Sequence, residues 1–341
     1  MTMATPPSAP WWRPWPRRAL SLIAFAVFAY LFWPLLAEVR AAAHLFAAAH
    51  WAWLPVALLL QGVSYASLTW LNQLALRPFP GRIGFARLAA TLTSMAFIEV
   101  AIPSAGISGV VLRARLLGRH GYASESSTFT LVIETAFLGV AMTAVAGFGV
   151  AFLLQRGALS QAILVRWVGL AAGVLVLGWA GWVLLRSRPR SLRLLLAFVR
   201  VWNRWFRRQH PLKSEPLLLR LTAFQQNLAA YRRVPIPAFL AAAFGRVFLD
   251  VTTLGVCFLL FGGHVGWGTL LTGYGLILLL SGVAALPGGL GLADLSVPVV
   301  FSRLGASGPV ALAGGLTYRL IAFWLLRLVG FAAWQIEESR R

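Results

Sequence analysis

The sequence predicts an all-α integral membrane protein. It has about six spanning helices and two Pro/Gly-broken re-entrant segments (eight helices if both segments span), arranged as an inverted repeat. Three observations predict this. The 341 residues are 59% hydrophobic and only 11% charged, and several apolar windows exceed about 18 residues, the length of a transmembrane helix. Two of the apolar stretches are interrupted by proline and glycine in corresponding places. The basic residues behind the net charge of +21 sit between apolar spans. That distribution follows the positive-inside rule rather than a nucleic-acid footprint.

The first 18 residues form a Pro-rich tail with Trp11, Trp12 and Trp15. The apolar run 19–37 follows three arginines and reads as an uncleaved first span. Its competitor is a cleaved signal peptide, but the run is longer than a usual signal core. Span two, 51–76, opens with Trp51 and Trp53 as interface anchors. Arg77, Arg82 and Arg87 then mark a cytoplasmic loop.

The apolar segment 88–112 carries the first break, Pro103, Gly106 and Gly109, and ends at Arg113, Arg115 and Arg119, read as cytoplasmic. Proline removes a backbone donor and glycine weakens a helix interior. In hydrocarbon the freed backbone groups are tolerated only inside protein or along a wet cavity. The segment is too short for two full spans, so it reads as a hairpin entering and leaving on one side. The competing reading is a kinked helix with no ligand.

Span three is 126–153 and span four 162–185. The region 186–235 holds 12 Lys or Arg against one acid, Glu215, and is the strongest cytoplasmic signal. Leu192, Leu195, Leu196, Val199, Trp202 and Phe206 share one helical face, and Arg193, Arg200, Arg204 and Arg207 another. A second stripe runs Leu217, Leu221, Phe224, Leu228, Tyr231. Two interfacial helices on an anionic leaflet are expected, against connectors that only fix topology.

Span five, 236–262, contains Arg246 and Asp250, four apart and able to pair. The segment 268–302 carries the second break, Pro287, Gly288, Gly289 and Gly291, and reads as a hairpin from the opposite face. Span six, 308–333, leads to a cytoplasmic tail, 336–341. The domain itself is 19–335. Pro103 and Pro287 are each followed 18 positions later by a glycine, Gly121 and Gly305. Glu134 lies 13 positions after the first and Arg319 14 after the second. This spacing is a weak internal repeat, and paired breaks in two halves point to a transport site.

Glu99, Glu134, Arg246, Asp250, Asp294 and Arg319 all fall in apolar segments. A charge at the bilayer centre costs about 2.5–3.5 kcal/mol and marks a functional position by default. Their competing role is ion pairing that holds the bundle, with Glu134 and Arg319 as candidate partners. Gly106-Ile107-Ser108-Gly109 also reads as the GxSG of an intramembrane serine hydrolase. Its nucleophile would need a base, and none of the five histidines lies mid-span. The single Cys257 allows no internal disulfide or thiolate cluster. No metal pattern is present and no cofactor is expected.

Ile102-Pro103-Ser104-Ala105-Gly106, Leu112-Arg113, Leu117-Gly118, Gly121 and Val132-Ile133-Glu134 run in order. With Leu286-Pro287-Gly288-Gly289-Leu290-Gly291, Gly305, Tyr318-Arg319 and Phe323-Trp324, they make the chain, from about 15 to 335, resemble the lysylphosphatidylglycerol synthase transmembrane region, a flippase-like family. Members often have Glu-Arg where this chain has Glu134-Thr135, and glutamate where it has Asp294. The resemblance implies a multi-pass membrane protein that moves or helps move lipids between leaflets, and the charge distribution predicts an inner-membrane protein with both termini cytoplasmic. In bifunctional members a C-terminal domain makes the aminoacylated lipid. This chain ends soon after span six, so no synthase activity is expected. Stand-alone relatives are associated with polyprenyl-linked sugars or hopanoid pathways. The expected partners are membrane lipids, anionic phospholipid foremost, with a second copy or a pathway enzyme as further candidates and no nucleic acid. The alternative is an accessory or scaffold subunit that transports nothing.

Overall fold

A computed structural model of the protein describes residues 43–102, 107–157, 188–205, 214–231, 235–283 and 292–339. The helices are α1 (Ala43–Ala47), α2 (Trp53–Leu76), α3 (Phe85–Ala101), α4 (Ile107–Gly118), α5 (Ser124–Gln155), α6 (Arg188–Trp205), α7 (Ser214–Ala230), α8 (Ile236–Leu260), α9 (Trp267–Val283), α10 (Leu292–Arg303), α11 (Gly308–Arg319) and α12 (Leu326–Ser339). A π-helical turn, Leu320–Leu325, joins the last two into one rod.

Four stretches among the described residues are long and apolar enough to cross a membrane: α2, α5, α8 and Gly308–Glu337. They match the expected spans two, three, five and six. Spans one (19–37) and four (162–185) lie outside the described residues. So do Pro103, Gly106, Pro287, Gly288, Gly289, Gly291 and Arg207.

Around the first break, α3 and α4 have 17 and 12 residues. That is about 25 and 18 Å of helix, each short of the roughly 30 Å hydrocarbon core. The two pack against each other, as a hairpin must. Around the second break, α9 and α10 have the same two lengths and also pack together. The first segment does not end at Arg113, however. Helix α4 runs on to Gly118, and Gly109, Arg113, Leu116 and Leu117 form its buried face.

The repeat inferred from spacing is present in the packing. Helices α2, α3, α4 and α5 correspond in order to α8, α9, α10 and the rod 308–339. Both α5 and that rod cover 32 residues. Helix α3 packs on α12, and its counterpart α9 packs on α5. The central pair, α2 and α8, is antiparallel. The His50 N–H donates to the Leu260 carbonyl, the Ser64 hydroxyl to the Arg246 carbonyl, and the Tyr231 hydroxyl to the Ala75 carbonyl. Equivalent helices running in opposite directions make the two halves inverted copies.

The glycines that anchored the spacing end α4 and α10 in the same way. Gly121 has φ +84° and Gly305 φ +96°. In each, the glycine N–H reaches back three residues, and the next N–H reaches back five, to Leu117 and Phe301. This is the left-handed cap that only glycine adopts without penalty. Gly121→Ala and Gly305→Ala are each expected to cost about 1–2 kcal/mol of stability, read as a lowered denaturation midpoint in micelles.

Polar side chains are buried within the apolar core while large apolar ones face outward. Ser64, Asn72, Ser94, Thr130 and Thr253 are fully buried, while Leu59, Val63, Val140, Phe148, Phe248 and Val329 are exposed along the spanning helices. Lipid makes no demand to hide the latter.

Helices α6 and α7 form as the expected amphipathic pair. Arg193, Arg200 and Arg204 are exposed on α6. The second stripe departs from expectation, because it faces protein rather than lipid. Phe224 and Tyr231 pack edge-to-face on Phe129 of α5 at 4.7 and 5.2 Å, and Leu228 joins the main core. Aromatic partners on α5 offer more contact than acyl chains.

Candidate functional site

The charged residues inside the membrane segments gather into three groups. The first is centred on Arg113, 1% exposed. Its Nη1 donates to Glu134 Oε2 at 2.7 Å, and its Nη2 to Asn72 Oδ1 at 2.7 Å and Thr130 Oγ1 at 3.0 Å. Thr130 sends its own proton to the Ser127 carbonyl, leaving a lone pair for the arginine. This group ties the hairpin arm α4 to α2 and α5.

The second group is centred on Asp250, 4% exposed. Arg246 lies 2.9 Å from Oδ1, as the spacing of four predicted. Its Nη1 also donates to Ser64 Oγ at 2.5 Å, and its guanidinium carbon lies 4.9 Å from the Tyr65 ring centroid. Oδ2 accepts from the hydroxyls of Tyr274 at 2.6 Å and Tyr318 at 2.8 Å. Here α9 and α11 are held to α8. In the repeat, Tyr318 stands where Glu134 stands in the first half.

The third group is built on the π turn. The guanidinium carbons of Arg319 and Arg327 lie 4.4 and 3.7 Å from the centroid of the same ring, Phe323. Each cation–π contact gains about 0.5–2 kcal/mol. Two like charges held against one ring also repel each other. Glu99 is the acid nearest in effect. Arg327 leads the charges acting on it, followed by Glu134 and Arg113. Arg327 in turn senses Arg319, Glu99 and Arg246. Glu99 therefore links the first group with the third. Its carboxylate occupies the space that a side chain at Gly109 would need.

Of the residues singled out from sequence, Glu99, Glu134, Arg246, Asp250 and Arg319 belong to this band. Asp294 lies near the start of α10, with its side chain outside the described residues. The expected Glu134–Arg319 partnership is wrong: the cation on Glu134 is Arg113. Arg113 was read as a loop charge because Arg115 and Arg119 follow it. Its position four after Gly109, on the face of Leu116 and Leu117, is the signal that it turns inward. Arg327 was passed over, though it lies eight residues after Arg319 with Phe323 midway. Asn72 and Tyr274 carried no sequence signal of their own, and Tyr318 entered only as part of the family motif Tyr318-Arg319.

Ser108 of the GxSG stretch spends its hydroxyl on the ends of α3. It donates to the carbonyls of Ile98 at 3.4 Å and Ile102 at 3.1 Å. His120, the histidine nearest in sequence, bonds the Leu116 carbonyl within its own turn. Among the described residues no cluster of three metal-ligating side chains occurs.

Comparison with known proteins bears on this arrangement. The chain is similar to a protein of Methanothermobacter thermautotrophicus named a UPF0104 membrane protein. The two are 27% identical over 249 residues, 68% of this chain and 69% of the relative. The family described as lysylphosphatidylglycerol synthase TM region matches residues 21–330, which take in both hairpins and every charge of the band. By that match, the chain is a member of the lysylphosphatidylglycerol synthase TM region family.

Proposed function

We propose that the protein translocates a phospholipid or lipid-linked headgroup between leaflets, with the buried charged band as its path. The supporting observation is the two helix pairs, α3 with α4 and α9 with α10, each helix too short to cross a bilayer and packed beside buried polar residues. Inverted halves with a site at their junction suit alternating exposure of that site to either face. Glu99, Glu134, Asp250 and Asp294 would hold a cationic headgroup group or a proton. Arg246 and Arg319 would pair with them or with lipid phosphate, for which the planar donor fork is suited. The exposed arginines of α6 would gather anionic lipid at the entrance.

The test is translocation of fluorescent phospholipids by the purified chain in liposomes. Losing one charge-assisted hydrogen bond costs about 1.5–3 kcal/mol. Arg319→Ala and Asp250→Asn should therefore slow translocation about 10- to 100-fold while the protein stays folded. A purified, folded chain that moves no lipid overturns the proposal in favour of an accessory membrane subunit.

A further inference from the structure

We propose that Arg319, Phe323 and Arg327 form an anion clip for the phosphate of a membrane lipid, and that the charge of Glu99, on the helix packed against α12, opposes the binding of this phosphate. The proposal deepens the translocation reading and relies on it only for taking the ligand to be a lipid.

The arginines of the membrane segments differ in their partners. Arg113 and Arg246 each have a carboxylate of their own, at 2.7 and 2.9 Å. Among the described residues, Arg327 has none within ion-pair distance. Its Nη1 donates to the Phe323 carbonyl at 3.2 Å, and its Nε is buried without a hydrogen-bond partner. The ring of Phe323 can satisfy the flat face of a guanidinium but not the N–H groups in its plane. Those groups call for oxygen acceptors.

Each arginine lies four residues from Phe323, the spacing at which helical side chains meet, and the π turn between them brings the two closer to one face. Eight residues of regular α-helix end about 80° away from where they began. A turn closed by i→i+5 bonds holds more residues and takes up that excess. π turns of this kind are frequent at functional sites.

Two like charges against one ring favour a ligand that is negative and offers several oxygens. A phosphate does both and fits the arginine fork in bidentate fashion. Glu99 opposes it from within. It is half-buried, seated over Gly109, and takes part in no hydrogen bond among the described residues. Its charge acts on Arg327 from beyond contact. A phosphate arriving at the clip would meet that charge as repulsion.

The experiment compares lipids retained on the full-length protein, by native mass spectrometry, after release from vesicles. The vesicles contain equal phosphatidylglycerol and glucosyl-diacylglycerol, the second lacking phosphate. Wild type should retain phosphatidylglycerol in about tenfold excess. Arg327→Lys keeps the charge but not the fork, and should lower that excess several-fold. Glu99→Gln removes the opposing charge and should raise it several-fold, a gain that misfolding cannot imitate. An unchanged or reduced ratio in Glu99→Gln, or an unchanged ratio in Arg327→Lys, overturns the clip. Loss of the bound lipid on adding excess inorganic phosphate reassigns the site to a free anion and overturns the lipid ligand. Retention is read without transport. A protein that shows these shifts but moves no lipid keeps the clip and loses the translocation reading. One that moves lipid without the shifts does the reverse.

Discussion

Glu134→Ala is expected to destabilise the fold by about 3–5 kcal/mol, the penalty for leaving a buried charge without its partner. Arg113 is buried among Asn72, Thr130 and Glu134, and of these only Glu134 is charged. Without it the guanidinium keeps two neutral acceptors and a full positive charge at membrane depth. Arg113→Met alone should be milder than Glu134→Ala, since the carboxylate it strands can take up a proton. The double variant Arg113→Met/Glu134→Leu should recover most of the loss, because it removes both charges at similar volume. Unfolding midpoints in mixed detergent micelles measure all three. If Glu134→Ala matches wild type, Arg113 has another anion and the first group is misassigned. Asp250→Asn should cost less, because the tyrosine hydroxyls can still donate to an amide oxygen.

Gly330→Ala is the second large effect, with a cost of about 1–3 kcal/mol from overpacking. A β-carbon at Gly330 would overlap the Thr93 carbonyl, a backbone atom of α3 that cannot rotate away. The change would push α12 off α3, and with it Arg327 away from Glu99. Lipid translocation should therefore fall with stability. The other half repeats this crossing: a β-carbon at Gly275 would sit 2.9 Å from the Cα of Ala146 on α5. Close approach through small residues is how helices gain contact in a membrane, where no hydrophobic effect drives them together. Gly275→Ala should behave like Gly330→Ala. Gly139 on α5 has nothing near its missing side chain. Gly139→Ala should gain up to about 1 kcal/mol from helix propensity. Equal effects at the three positions would refute the crossing argument.

What the sequence made legible was what local geometry dictates. Gly121 and Gly305 recur at equal distance from their prolines because each ends a helix of the same length in a left-handed cap. The Arg246–Asp250 contact follows from a spacing of four on one helix. What stayed hidden lies between helices. Glu134 could be placed in the membrane, but its partner comes from α4 and was masked by the arginines that follow. The stripe ending in Tyr231 was correctly apolar, yet periodicity does not say whether lipid or Phe129 covers it. Asn72 and Tyr274 became informative only once Arg113 and Asp250 were beside them.

The antiparallel contact of α2 with α8 has an ancestral consequence. A two-fold partnership between equal subunits requires the same patch on both. Here the two patches lie on one chain, with Ser64 on one side and Arg246 on the other. Such an arrangement descends most simply from a half-length protein that inserted in both orientations and paired with its upside-down twin. A single chain can carry Glu134 in the first half and Tyr318 in the second, an asymmetry that a dimer of identical subunits could not hold.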